Sequence, residues 1–185
     1  LSYWENKKTT SEELCIIKYL LSNDFKCLGN ILHVGIGNNE ALKKLYKKSK
    51  LFIGITIAGK ELDCANSLNI KNNKNFLIDK YNSNLINSHI KKNTLDYILD
   101  INLKSFAPNS DLYNLMMENY YSYLKIGGKI ITSQSGMNFS SLLSIDNNKL
   151  VQSSTSIVKN ILTKSELLEY ARKHNMNFLE INQNR

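Results

Sequence analysis

Proline is almost absent from this chain, with Pro108 the only one in 185 residues, and no Pro- or Gly-rich linker separates one part from another. Cysteine is scarce as well. Cys15, Cys27 and Cys64 are widely spaced and contain no Cys-x-x-Cys pair, which suits neither a disulfide framework nor a zinc site. Three reduced thiols point to a reducing, cytoplasmic setting, and no metal is expected. No run of about 18 apolar residues is present to span a bilayer. The opening Leu1-Ser2-Tyr3-Trp4-Glu5-Asn6-Lys7-Lys8 lacks the apolar stretch of a secretory signal, so the sequence predicts no association with a membrane. There is no internal repeat.

Hydrophobic residues make up 42% of the chain and charged ones 22%, the balance of one globular domain with a real core. A second full domain does not fit in this length. The net charge of +8 and pI near 9.3 permit an anionic partner such as nucleic acid. The lysines are scattered among many asparagines, however, as in Lys71-Asn72-Asn73-Lys74-Asn75. A general preference for Lys, Asn and Ile accounts for the charge as well as a binding face does.

The apolar spacing predicts an alternation of helix and strand. Thr10 and Glu13 form a capping box ahead of Leu14, Ile17 and Leu21, predicting a helix over 11–22. Residues 30–35 then read as a strand closed by glycine and 40–46 as a helix. The pattern repeats with a strand over 51–56, a helix over 60–68, a strand over 76–79, a short helix over 84–90 and a strand over 95–100. Ser110 or Asp111 caps a longer helix ending at a Gly127-Gly128 turn before a strand at 129–133. Thr163 and Glu166 open a last helix leading into a strand at 177–181.

Continuous apolar runs mark strands covered on both faces. The expected fold is therefore a three-layer, Rossmann-like, doubly wound α/β domain with a mostly parallel sheet of about six or seven strands and helices on both faces. Its ligand site should lie at the carboxyl ends of the strands, beside the first. Residues 136–161, rich in Ser and Asn, fit this scheme least and read as a substrate-side excursion with an extra short strand.

In Val34-Gly35-Ile36-Gly37-Asn38-Asn39 the missing side chains let a ligand approach the backbone, while free N–H groups at the helix start favour acceptor atoms. A dinucleotide fingerprint would need a third glycine where Glu40 stands, and that carboxylate disfavours a pyrophosphate.

The ordered set His33-Val34-Gly35-Ile36-Gly37-Asn38, Gly54-Ile55-Thr56-Ile57, Phe76-Leu77-Ile78-Asp79, Asp96-Tyr97-Ile98-Leu99-Asp100 and Leu124-Lys125-Ile126-Gly127-Gly128-Lys129-Ile130-Ile131 resembles the class I S-adenosylmethionine-dependent methyltransferases over nearly the whole chain. The resemblance implies S-adenosylmethionine as cofactor, with S-adenosylhomocysteine as product. It divides the single domain 1–185 into a helical lead-in at 1–29, a cofactor-binding core at 30–135 and a substrate-side segment at 136–185. By the same resemblance, Val34, Gly35, Ile36, Gly37 and Asn38 form the cofactor loop. Thr56 and Ile57 lie beside ribose and adenine, Asp79 accepts from the adenine amino group, and Asp100 sits close to the methyl-transfer centre.

Two positions depart from that family. Thr56 stands where an acid usually grips both ribose hydroxyls, a change that weakens cofactor binding by about 1 to 2 kcal/mol. Ile101 and Lys104 replace the second Asp and the His of an Asp-Asp-Gly-Ser-His segment, which argues against a metal or a His base there.

His89, Tyr81, Lys104 and Asp100 are the residues available as a base, and Tyr3, Trp4 and the Tyr120-Tyr121-Tyr123 cluster could line an acceptor pocket. No catalytic residue is assigned. The expected activity is methyl transfer to a small-molecule acceptor. The alternatives are an inactive methyltransferase-fold binding or scaffold protein and, on charge alone, a nucleic-acid methyltransferase. The oligomeric state stays open.

Overall fold

Five strands, all parallel, form the sheet at the centre of the computed structural model, which describes residues 8–22, 26–104, 107–133, 143–146, 149–152 and 163–180. They are β1 (Gly29–Val34), β2 (Ser49–Thr56), β3 (Asn73–Leu77), β4 (Leu95–Leu99) and β5 (Leu124–Ile131), in the order β3-β2-β1-β4-β5. The sheet thus has five strands, fewer than the six or seven expected. Ile31 stands opposite Phe52 on one side and Tyr97 on the other, so the strand starts lie nearly level across the centre. The chain leaves β1 toward β2 and β3, then returns to place β4 on the other flank of β1. That reversal makes the carboxyl ends of β1 and β4 the switch point, where ligands of such sheets bind.

Neighbouring side chains on each strand enter two different cores. Ile31 and Phe52 pack with α1 (Ser11–Ser22), α2 (Glu40–Leu45) and α3 (Gly59–Ser67) through Ile17, Leu20, Leu42 and Ala65. Leu32, Ile53 and Ile98 pack with α4 (Ser83–His89), α5 (Ser110–Tyr123) and α6 (Lys164–Lys173) through Ile86, Met116, Tyr120 and Leu167. Both faces are covered by helices, as the uninterrupted apolar strands require.

Local chemistry sets the helix starts. The Glu13 amide donates to Thr10 Oγ1 at 3.2 Å, and the Thr163–Glu166 capping box is complete. At α5 the cap is Asn109, whose Oδ1 accepts from the Leu112 amide at 2.9 Å, and not Ser110 or Asp111 as expected. Ser, Asp and Asn cap about equally well, so composition alone cannot separate three adjacent candidates.

Three further expectations change. Gly127-Gly128 does not form the turn before the last core strand, because β5 begins directly at Leu124. The glycines fall in a bulge where Leu124 pairs with Leu95 and Lys129 already pairs with Tyr97. Gly127 takes φ +80° there, a conformation glycine adopts readily and which lets the chain loop out without breaking the strand. Residues 177–180 form no strand. Leu179 is 72% and Phe178 37% exposed, so neither side chain is buried against the sheet as a core strand would require. Residue 181 lies outside the described residues. Within 136–161, the expected single short strand is an antiparallel pair, β6 (Leu143–Asp146) and β7 (Lys149–Gln152), with Leu143 opposite Gln152; the rest lies outside the described residues.

Candidate functional site at the carboxyl ends of β1, β2 and β4

The turn after β1 is built to keep its upper surface bare. Gly35 has φ +74° and Gly37 φ +51°, values that L side chains rarely adopt. A Cβ on Gly35 would meet nothing within 4 Å, and one on Gly37 only the Gly35 carbonyl at 4.0 Å. The glycines are thus demanded by backbone conformation, and the space above them is open. The Gly35 amide is tied to Ile55 O at 2.9 Å. Ile36 is fully buried against Gly54, where a Cβ would stand 2.7 Å from its side chain, so Ile36 anchors the turn and offers a ligand only backbone. Val34, the last residue of β1, is half-buried. Asn38 is committed on several sides: its Nδ2 donates to Thr9 Oγ1 at 2.8 Å, its Oδ1 accepts from the Glu40 amide at 3.1 Å, and its carbonyl accepts from Lys43 at 3.1 Å.

At the end of β2 the structure supplies a carboxylate that the sequence reading missed. Thr56 Oγ1 donates to Glu61 Oε2 at 2.6 Å, and the Gly37 amide donates to the same oxygen at 3.1 Å. Glu61 lies in the first turn of α3 and is 8% exposed. One carboxylate therefore joins the glycine turn to the β2 end, and no other described residue is recorded as bonding to its second oxygen. The signal was present in the sequence, five residues beyond Thr56 at the start of a predicted helix, but only the fold turns it inward. Ile57 projects next to it at 73% exposure, an apolar surface beside a polar pocket.

Asp79 lies just past β3. It is exposed, and its Oδ1 accepts from the Tyr81 amide at 2.9 Å, the local turn that Asp commonly forms. Asp100 lies just past β4 but is only 1% exposed. Lys80 Nζ sits 3.1 Å from its Oδ2 and also donates to Asn102 O and Leu103 O at 2.6 and 3.1 Å, while Tyr120 OH donates to Asp100 Oδ2 at 3.0 Å. Burial in a low dielectric and the Asp100 charge hold the Tyr120 hydroxyl well above its usual range. Lys80 is the second functional residue that sequence reasoning passed over. It turns Asp100 from a free acid at the switch point into half of a buried ion pair.

Beside Asp79 a groove is lined by Tyr81, Asn82, Ser83, Pro108, Leu112 and Leu115. Of the residues available as a base, Tyr81 alone lines it. His89 ends α4 and stacks on Phe76 at 4.1 Å. Lys104 is bound to Glu166 at 2.8 Å. Tyr120 and Tyr123 are fully buried, with Tyr123 OH on Asn87 at 2.8 Å, so they pack the core and line no acceptor pocket. Tyr3 and Trp4 lie outside the described residues. Among the described residues no group of three His, Cys, Asp or Glu could hold a metal, and no helix is long and apolar enough to cross a membrane.

A second buried pair flanks the turn. Glu13 of α1 approaches His33 of β1 at 3.9 Å. Burial lowers the His33 pKa to about 4. Burial, with Glu40 nearby, raises the Glu13 pKa to about 7. His33 is neutral at neutral pH and serves packing, edge-on to Phe52 at 6.0 Å.

No family model matches the sequence, and no curated protein matches it. Solved structures do. An S-adenosylmethionine-dependent methyltransferase from Mesorhizobium loti aligns with a TM-score of 0.60 and 12% identity over 89% of this chain and 80% of that one. DhpI, solved with SAM and HEP, gives 0.58 and 12% over 89% and 77%. The N-methyltransferase NodS from Bradyrhizobium japonicum, solved with S-adenosyl-l-homocysteine, gives 0.52 and 15% over 70% and 60%. The alignments span from half to four fifths of the matched chains. The fold is that of the class I methyltransferases.

Proposed function

We propose that this chain, on the methyltransferase fold, binds S-adenosylmethionine at the glycine turn and transfers its methyl group to a small-molecule acceptor. The observation that carries the reading is the Glu61 carboxylate, held by Thr56 Oγ1 and the Gly37 amide beside a glycine turn with open space above it. That arrangement answers the departure at Thr56. The acid missing from the β2 end arrives from the first turn of α3, with one oxygen left to receive a ribose hydroxyl in a charge-assisted bond.

The residues fit the cofactor. Gly35, Gly37 and the backbone of Val34, Ile36 and Asn38 would hold its methionine part, Thr56, Glu61 and Ile57 its ribose and adenine, and Asp79 the adenine amino group. When bound, S-adenosylmethionine supplies an electrophilic methyl on a sulfonium, so the protein's main task is to align the acceptor. Solved relatives of the fold carry SAM with HEP, or S-adenosyl-l-homocysteine, which supports an adenosyl ligand here. The groove beside Asp79, lined by Leu112 and Leu115 as well as Asn82 and Ser83, suits an acceptor that is part apolar and part hydrogen-bonding.

Asp100, ion-paired with Lys80 and hydrogen-bonded by Tyr120, is a positioning element at the β4 end and not a free base. The same ion pair is the observation that favours the alternative reading, a binding protein that keeps the fold without transfer.

Calorimetric titration with S-adenosylmethionine and S-adenosylhomocysteine tests the proposal. Saturable one-site binding of both is expected. No heat of binding for either at millimolar concentration would remove the cofactor, and with it the enzyme. Binding without turnover on any acceptor amine or hydroxyl would leave the binding-protein reading.

A further inference from the structure

The parallel sheet collects the scattered lysines at the end opposite the glycine turn. Each of the five strands has at least one at or shortly before its start. Lys71 precedes β3, Lys50 is the second residue of β2, and Lys26 stands shortly before β1. Lys91 and Lys92 lead into β4, and Lys125 with Lys129 belongs to the first part of β5, around its bulge. All seven are exposed. Because the strands are parallel and their starts nearly level, these residues form one row in the spatial order β3, β2, β1, β4, β5.

The only acid among the described residues of these strand starts is Asp96, and it is consumed. Its Oδ2 accepts from the Asn30 amide and from Lys125, each at 2.7 Å. Lys129 lies 5.5 Å over the Tyr97 ring, and a cleft lined by Cys27, Gly127, Gly128 and these two lysines opens at the same end. Among the described residues, Lys48 is the lysine bound to a helix carbonyl there, Leu21 O at 3.3 Å, and none of the seven is so used.

We infer that the amino end of the sheet is a docking surface for the sugar-phosphate backbone of a nucleic acid. Four inter-strand spacings make the row ~19 Å long; with Lys125 paired to Asp96, the six remaining charges fall about one per 3 Å, close to the roughly 3.4 Å per charge of one nucleic-acid strand. A lipid surface would ask for apolar side chains to insert among the lysines. Ile126 on the bulge is fully exposed and Leu68 is 36% exposed, and among the described residues no other exposed large apolar side chain stands in the row, which favours phosphates. The docked strand lies one sheet length from the glycine turn, roughly 20 Å by the strand rise, and so is an anchor and not the methyl acceptor. The inference rests on the sheet and its charges and holds whether or not the cofactor binds.

Fluorescence anisotropy with a labelled RNA oligonucleotide and a labelled DNA duplex tests it. With about five phosphates contacted, affinity for single-stranded RNA should fall about 100-fold between 50 and 200 mM salt. The quadruple variant K50Q/K71Q/K91Q/K92Q should lower the salt slope by about 3. A control variant, K18Q/K43Q/K44Q/K60Q, removes the same charge from exposed helix positions and should leave the slope nearly unchanged. Circular dichroism checks that both variants fold. Equal losses in the two variants, no binding of either probe at low salt, or binding only to phosphatidylserine vesicles would overturn the inference.

Discussion

The two ends of the sheet are made from the same kinds of short connection, yet they carry opposite chemistry. At the carboxyl end the buried acids are held by hydrogen bonds or by a lysine. Glu61 bridges Thr56 and Gly37, and Asp100 takes Lys80 and Tyr120. At the amino end the lysines stand exposed, and the lone described acid, Asp96, is already bonded. A charge that is buried must be hydrogen-bonded or paired, whereas one in water needs no partner. The first end is therefore fixed in shape, as a small-ligand site requires, and the second offers a long-range field with little shape.

Substitutions at each end should sharpen this contrast. The largest effect belongs to Lys80→Met, which leaves the Asp100 carboxylate buried at 1% exposure without its cation. A loss of about 3 to 5 kcal/mol is expected in urea unfolding. A cost under about 1 kcal/mol would mean that Asp100 is not held as a buried ion.

Next comes the pair flanking the turn. The folded pKa of Glu13 is about 7, above its ordinary 4.5. Its stabilising contribution is thus fully present below about pH 4.5 and lost as pH rises through 7. His33 acts oppositely, since its folded pKa of about 4 lies below the ordinary 6.5 and stability is lost as pH falls through that range. Glu13→Gln removes the first slope only. The variant should gain on the order of 2 kcal/mol over the native chain at pH 8 and nothing at pH 4, read from unfolding midpoints. A gain that does not vary with pH would contradict the assignment.

Gly35→Ala places a Cβ at φ +74°, for a cost of roughly 1 to 2 kcal/mol in stability, and it intrudes on the open space above the turn. S-adenosylhomocysteine binding should fall more than stability does. Glu61→Gln keeps the shape and removes the charge, and about a tenfold loss of affinity follows from replacing a charge-assisted bond by a neutral one. The smallest effect is expected from K91Q/K92Q at the amino end, with S-adenosylhomocysteine affinity unchanged.

Much of this was legible before any coordinates. Buried, continuously apolar runs such as Phe52-Ile53-Gly54-Ile55 announce parallel strands, and two glycines after the first strand announce the turn. What could not be read was set by spatial neighbours. Glu61 looks like any first-turn acid until the sheet brings it under Thr56 and Gly37. Lys80 looks solvated until Asp100 is found beside it. Gly127-Gly128 reads as a turn by composition and becomes a bulge because Leu124 pairs with Leu95 at once after α5. The lysines look scattered along the chain because the sequence separates strand starts that the sheet sets side by side.

The most direct test follows backbone amide resonances of the isotopically labelled protein during titration with S-adenosylhomocysteine. Shifts should concentrate at Gly35, Gly37, Thr56, Ile57 and Glu61 and leave Lys91, Lys92 and Gly127 unmoved. Shifts centred on the amino end of the sheet, or none at saturating ligand, would contradict the placement of the cofactor site.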